Sequence, residues 1–461
     1  MMSADGLPRG PAYLQTLSTW LARTRLEDLP PEIVERGRWI MADCIGAVVG
    51  GLRVPEMQAF MEKHLADGGP GPASVLASGR RTEPLKAALV NGMAGTWLEQ
   101  DEGNLHAGGG HPGIQLATAT LAAAQQRNSS FGDMLLAFIL GYEASSRVSR
   151  ASKLKLVFHP HATSGPIGAA VAVAKLDHVD AAEMMTTLNV GATLGIATSR
   201  NAILEGVTVR NAYAGLSNYM GLFSRQMVRS GFTGEFDGVA SAHGKGGFSD
   251  VIDRDHVVER LGEFWVIARS YFKIHSSGRY AHSGIDLAEQ AVREAPGGKI
   301  DPESIERIDF STYFHAKMLD RQDIDTSFGA RFSIPFGVAT MIYHGGPDLE
   351  NFEDAAVANP VIQSLARRVF VTENPEYTKV SLGMQKTDMK ITFRDGRIYE
   401  AHADYIRGEP QNPHPPEALR RKFIRLTRDT WGEAHAARVH DAIMGVAPGA
   451  SFQAFADENR L

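Results

Sequence analysis

The chain has 461 residues, 43% hydrophobic and 22% charged, which excludes a disordered polymer and is more than one hydrophobic core normally serves. A net charge of −6 leaves no general basic excess for nucleic acid, so an anionic ligand would need a local cluster of Arg, Lys and His. One cysteine, Cys44, excludes an intrachain disulfide and an iron–sulfur cluster held by several thiolates of one chain.

Residues 1–10 show no apolar core and no cleavage pattern, so no secretory leader is expected. No apolar run approaches the roughly 20 residues of a membrane span, and a cytoplasmic location is the expectation. Pro30 and Pro31 open a helix in which Ile33, Gly37, Ile40, Met41, Cys44 and Val48 recur at helical spacing. Residues 114–126, 131–148, 165–176 and much of 180–198 read as further helices. Those rich in Ala and Gly let neighbouring backbones approach closely, as in a buried bundle.

The pattern changes after about residue 270. Ile305, Ile308, Phe310 and Tyr313 mark a strand, 378–393 alternates, Asp395-Gly396 supplies a hairpin turn and 398–405 runs back. Helical stretches near 281–294 and 330–344 lie between the strands, and helical sequence resumes after the Pro-rich connector 409–418. The expected architecture is mainly α with an α+β part. A helical domain (1–270) is interrupted by an α/β lid (271–407), and its C-terminal piece returns over 408–461.

Four segments could carry chemistry. Residues 97–113 gather Glu99, Asp101, Glu102, His106 and His111 around five glycines; the plain alternative is a solvated acidic loop, and the spacing matches no metal motif. Phe158-His159-Pro160-His161 precedes a small-residue helix, where a His serves as cap, core residue or proton carrier. Arg210 precedes another apolar helix and needs a carboxylate partner, structural or substrate. Residues 272–286 place Lys273, His275, Arg279, Tyr280 and His282 at the expected domain junction, a preferred place for ligand clefts. The run His243-Gly244-Lys245-Gly246-Gly247 lacks the strand and the Ser/Thr of a phosphate loop and reads as a turn.

The ordered set DCIGAVVGG (43–51), NGMAGTWLEQDEGN (91–104), GHPG (110–113), FHPHATSGPIGAAVAVAKL (158–176), GVTVRNAYAG (206–215), GFTGEFDG (231–238) and FKIHSSGRYAHSGIDLA (272–288) resembles the MmgE/PrpD family, over about residues 12–440. That family includes 2-methylcitrate dehydratases, cis-aconitate decarboxylases and an iminodisuccinate epimerase. The resemblance implies a helical domain with an α/β lid, a homodimer, a small polycarboxylate bound in the cleft between domains, and no metal or cofactor. It aligns His111, His159, Lys273 and His282 with family motif positions, and Glu99 and Asp101 with acidic ones. Three features depart from the pattern: the 96–102 stretch lacks its histidine, Arg210 replaces a common lysine, and Gly278 stands where the decarboxylases carry a histidine. A tyrosine of that branch aligns with Phe336. These departures weigh against decarboxylation.

All three family reactions build negative charge beside a carboxylate, so each needs cations and a positioned acid or base. The roles expected are His159 as first and His111 as second proton-transfer group, with Arg210 and Lys273 offsetting charge. Glu99, Asp101, Arg279, Tyr280 and His282 would bind or orient substrate. A dehydratase-type lyase of a hydroxy-polycarboxylate is the leading expectation. The alternatives are an epimerase of a dicarboxylate or imino-dicarboxylate, and a non-catalytic polycarboxylate-binding protein. Neither nucleic acid nor membrane is expected as a partner.

Overall fold

A computed structural model describes residues 10–461; the reading of the N-terminal segment as leader-free concerns residues that lie, all but the last, outside this range. Among the described residues no helix is long and apolar enough to cross a membrane.

The protein is mainly helical. Pro31 occupies the first turn of helix Pro31–Gly51, where its missing N–H costs nothing. Helices Pro84–Ala94, Pro112–Arg127, Phe131–Ala151, Gly165–Leu176, Ala181–Thr193 and Ala212–Arg229 follow. Ser130 caps the third of these by accepting the Asp133 N–H at 3.0 Å. Helix Gly165–Leu176 is buried along almost its whole length, because small side chains let its neighbours close in. A Cβ at Gly141 would stand 2.5 Å from the Gly168 carbonyl oxygen, so this helix crossing requires glycine. Two short antiparallel pairs, β1 (Ala73–Val75) with β2 (Arg80–Thr82) and β3 (Ser152–Leu154) with β4 (Ser249–Ile252), decorate the bundle. The glycine-rich run at 243–247 follows helix Gly238–His243 and turns the chain into β4.

A second hydrophobic cluster forms between residues 281 and 393. It is built on a four-stranded sheet in the order β6-β5-β7-β8, with β5 (Ile305–Thr312), β6 (Val369–Glu373), β7 (Thr387–Phe393) and β8 (Ile398–Ala403). β5 runs parallel to β6 and antiparallel to β7. The period-2 pattern sends Thr387, Met389, Ile391 and Phe393 of β7 inward, toward helices His282–Glu294 and Ile334–His344. The hairpin at Asp395-Gly396 closes β7 onto β8 as expected. The expected strand 378–393 is shorter than its alternation suggests: Asn374 accepts the Glu376 N–H and caps a helical turn, Pro375–Val380, leaving 387–393 as the strand.

The chain then returns to the bundle through helices Pro416–Trp431, Glu433–Gly445 and Phe452–Asn459. Phe423, Val439, Ile443, Phe452 and Phe455 join the same core as residues 13–272. Lys422, fully buried, meets Asp43 at 2.5 Å.

Candidate active site between bundle and lid

The loop between helices Pro84–Ala94 and Pro112–Arg127 is not the solvated acidic loop that its composition allows. Glu99, Gln100, Asp101, Glu102 and Asn104 are all buried. Four sets of contacts hold it. Gly103 and Tyr271 exchange two backbone hydrogen bonds, of 3.2 and 2.8 Å. Ser276 Oγ donates to the Leu98 carbonyl at 2.6 Å. Gln100 Nε2 donates to the Ile274 carbonyl at 3.3 Å. Lys422 donates to the Gln100 carbonyl from the far side. Glu99 itself sits at φ +50°, a left-handed conformation that costs a non-glycine residue energy and is commonest at functional sites.

This stitching lays segment 271–277 along loop 98–104 and brings charges from distant stretches together. Lys273 Nζ lies 3.2 Å from Glu99 Oε2 and 3.3 Å from Asp101 Oδ1. Arg210, in the turn leading into helix Ala212–Arg229, places Nη1 2.5 Å from Glu99 Oε1. His111, at the start of helix Pro112–Arg127, places Nδ1 2.8 Å from Asp101 Oδ2. The His161 ring centroid lies 4.9 Å from that of His111 and 4.5 Å from that of His159. None of these seven residues is more than 8% exposed.

The electrostatics follow from burial and pairing. Burial alone would raise the Asp101 carboxyl, but Lys273, His111 and Arg210 together hold it well below the usual carboxylate range. Asp101 is therefore an ionised acceptor. Burial first, then Arg210, pushes His159 and His161 well below the ordinary imidazole value, so both rings are neutral near pH 7. Burial drives Glu102 up to about 8, with Asp101 and Asp43 adding to the rise against the Tyr142 hydroxyl.

Hydrogen-bond roles then distinguish the histidines. The tautomers are assigned from the donors around each ring. His111 Nδ1 lies 2.8 Å from an acceptor-only carboxylate oxygen of Asp101, so the proton is assigned to Nδ1 and the lone pair to Nε2. His159 Nδ1 accepts the His161 backbone N–H at 3.3 Å, so its proton sits on Nε2 and its lone pair is occupied. His161 Nδ1 faces the Gln115 amide nitrogen at 3.4 Å, and its buried Nε2 has no hydrogen-bond partner among the described residues. The arrangement can take up a proton at His111 and offer one from His161 or His159. It holds two cations against two carboxylates beside them.

The remaining sequence candidates lie apart from this cluster. Arg279 grips Glu409 at 2.8 Å and stacks 4.3 Å over the Tyr271 ring, whose edge faces His111. His282 sits 3.1 Å from the Ser277 carbonyl and beside His275, which meets Asp286 at 3.3 Å; burial holds His282 well below the ordinary value. Tyr280 lines an adjoining cleft. Phe336 is buried in the lid core against Phe352.

Position 278 is closed to side chains. Gly278 N–H donates to the Arg331 carbonyl at 2.7 Å, and a Cβ there would stand 2.9 Å from the Phe332 ring.

Two groups could geometrically gather round a metal: Asp101, His111 and His161, and His275, Asp286 and Glu289. Each already contains a cation. Lys273 is 3.3 Å from Asp101, and Arg407 lies 2.7 Å from Asp286 and pairs with Glu289. These side chains balance the carboxylates and would repel a dication.

Sequence reasoning missed two buried contributors. Arg331 bonds Ser276 Oγ at 3.1 Å and Glu353 at 2.8 Å. The Lys422–Asp43 pair braces the loop across 379 positions of sequence. Arg331 and Lys422 sit in no quoted motif, and only the fold brings Lys422 to Asp43, at the head of the 43–51 motif.

Comparison with known proteins agrees with this architecture in both parts. The MmgE/PrpD N-terminal domain matches residues 15–260 and the C-terminal domain matches residues 275–445. A cis-aconitate decarboxylase of Aspergillus terreus is 21% identical over 93% of this chain and 91% of its own length. A cis-aconitate decarboxylase-like protein of Aspergillus oryzae is 23% identical over 97% and 96%. The cis-aconitate decarboxylase of Mus musculus is 24% identical over 74% and 72%. The two matched domains span most of the helical bundle, the lid and every member of the buried charge cluster except Lys273, which lies in the short gap between them, so the chain belongs to the MmgE/PrpD family.

Proposed function

We propose that this protein is a dehydratase-type lyase of a small hydroxy-polycarboxylate, with His111 as its base. The observation that carries the reading is the 2.8 Å Asp101–His111 pair standing against Lys273 and Arg210. The carboxylate fixes the His111 tautomer so that Nε2 takes a proton from the carbon next to a substrate carboxylate. The electron pair forms the new double bond, and hydroxide leaves the adjacent carbon hydrogen-bonded by His161 Nε2–H and takes up the proton held by His111, so that water departs and both rings end neutral. Lys273 and Arg210 hold the carboxylate on which charge accumulates, where low polarity strengthens their effect. Relatives named as cis-aconitate decarboxylases support a tricarboxylic acid as substrate class.

Dehydration is favoured over decarboxylation because Gly278 provides no side chain, and Phe332 fills the space one would need. The test is a mass-spectrometric screen of the purified protein against small di- and tricarboxylates, followed by absorbance and solvent-deuterium assays on any hit. Loss of water with a new conjugated absorbance is the expected result. Loss of carbon dioxide, or deuterium entering an acid of unchanged formula, would replace the reading by a decarboxylase or an epimerase. Tight binding without turnover would point to a binding protein.

A further inference from the structure

The two cations assigned to the substrate are already occupied. Glu99 spreads its carboxylate between them, with Oε1 2.5 Å from Arg210 Nη1 and Oε2 3.2 Å from Lys273 Nζ. One carboxylate bridging a guanidinium and an ammonium is the arrangement that the lyase reading asks of the substrate. The charge balance is closed as well. Lys273 and Arg210 stand against Glu99 and Asp101, all four at most 2% exposed. The neighbouring buried cations are spent elsewhere, Arg331 on Glu353 at 2.8 Å and Lys422 on Asp43 at 2.5 Å. A further carboxylate brought to Arg210 and Lys273 would add an uncompensated buried charge, which is costly.

The two carboxylates are not held alike. Asp101 meets Lys273 at 3.3 Å and His111 at 2.8 Å. Glu99 meets only the two cations, and its backbone lies at φ +50°. That conformation is disfavoured for a non-glycine residue, so the ion pairs and the stitched loop sustain it against local preference. Arg210 is also incompletely used. Nη1 donates to the Thr96 carbonyl at 3.2 Å, while the buried Nε has no hydrogen-bond partner among the described residues. A buried donor left unpaired costs free energy, and a ligand carboxylate at that edge of the guanidinium would satisfy it.

We propose that Glu99 is an internal carboxylate that holds the place of the substrate's, and that the ligand displaces it from Arg210 and Lys273. Without ligand, Glu99 keeps both cations paired inside the protein. When a ligand carboxylate takes them, the buried balance is preserved because that of Glu99 withdraws. Affinity is then a difference between two similar carboxylates competing for one pair of cations. Glu99 thereby opposes binding and eases departure of an acidic product. The proposal rests on the lyase reading for the roles of Arg210 and Lys273.

The experiment measures glutarate binding by calorimetry to the wild type, Glu99→Gln, Glu99→Asp and Arg210→Gln, with circular dichroism to confirm folding. Glu99→Gln is expected to bind roughly tenfold tighter or more than the wild type. Glu99→Asp keeps the charge but withdraws it by one methylene, and is expected to gain part of that. A crystal structure of the wild type with glutarate is expected to show Glu99 beyond ion-pair distance of Arg210. Equal or weaker binding by Glu99→Gln, or Glu99 unmoved beside the bound acid, would overturn the proposal and leave the lyase reading standing, so long as Arg210→Gln loses affinity. Glutarate binding by Arg210→Gln at the wild-type level, or no binding by any of the four proteins, would remove both. If Glu99→Gln does not fold, a Glu99→Asp affinity equal to the wild type's would overturn the proposal by itself.

Discussion

Asp101 and His111 form a buried pair in which a carboxylate oxygen lies 2.8 Å from ring Nδ1, and the same carboxylate is shared with Lys273 at 3.3 Å. Asp101 is thus both counter-ion and orienter. Asp101→Asn keeps the size but removes the charge and admits the wrong His111 tautomer. Turnover is expected to fall by about 10²–10⁴-fold, with circular dichroism unchanged. Adding His111→Gln to that variant is expected to cost little more, because the two act as a unit. Losses that multiply across the double variant would mean that they act separately.

The histidines are expected to separate by kinetics. His159 is the first proton-transfer candidate from sequence, yet its Nδ1 is occupied by a backbone N–H. Gln can reproduce both an acceptor and a donor at that position. His159→Gln is therefore expected to retain turnover within about tenfold, whereas His111→Gln loses about 10²–10⁴-fold. The reverse ranking in steady-state assays would return the base to His159.

Stability carries its own pH signature. The Glu102 carboxyl ionises near its ordinary 4.5 in the unfolded chain and near 8 in the folded one. Between those values the folded state binds more protons, so this contribution is complete below 4.5 and is lost as pH rises through 8. Glu102→Gln keeps an acceptor for the Gly113 N–H, 3.2 Å away, and has nothing to ionise. Its denaturation midpoint is expected to fall less than the wild type's between pH 5 and 8, by an amount worth more than about 1 kcal/mol. Parallel curves for the two proteins would show that Glu102 does not titrate in this window.

Position 278 tests the preference for dehydration. Gly278→His drives a Cβ into the Phe332 ring and is expected to cost about 1–3 kcal/mol in chemical denaturation. It is not expected to create cis-aconitate decarboxylation. Gly278→His with Phe332→Ala opens the space and is expected to recover most of that loss. Carbon dioxide release by the single variant would show that the packing does not decide the reaction.

The fold was legible where local pattern carries it. Small-residue periodicity marks helix Gly165–Leu176 within its observed bounds, and Asp395-Gly396 marks the β7–β8 hairpin. The parallel strand β6 escaped, because its five residues alternate too briefly and pair with β5, about 60 positions earlier. The ordered motifs nominated Glu99, Asp101, His111, Arg210 and Lys273, which do converge. Their pairing was not legible. Arg210 reads equally well as a substrate clamp or as the partner of Glu99, since nothing local records a contact across 111 positions.

Lys422 joins helix Pro416–Trp431 to the Gln100 carbonyl, 322 positions upstream. During synthesis, loop 98–104 must wait for that late ammonium. A chain cut before residue 422 could assemble the earlier helices yet would leave Asp43 as an uncompensated charge inside them. Nascent or truncated copies would then hold no competent pocket for metabolites, and catalytic power would arrive only with the final helices.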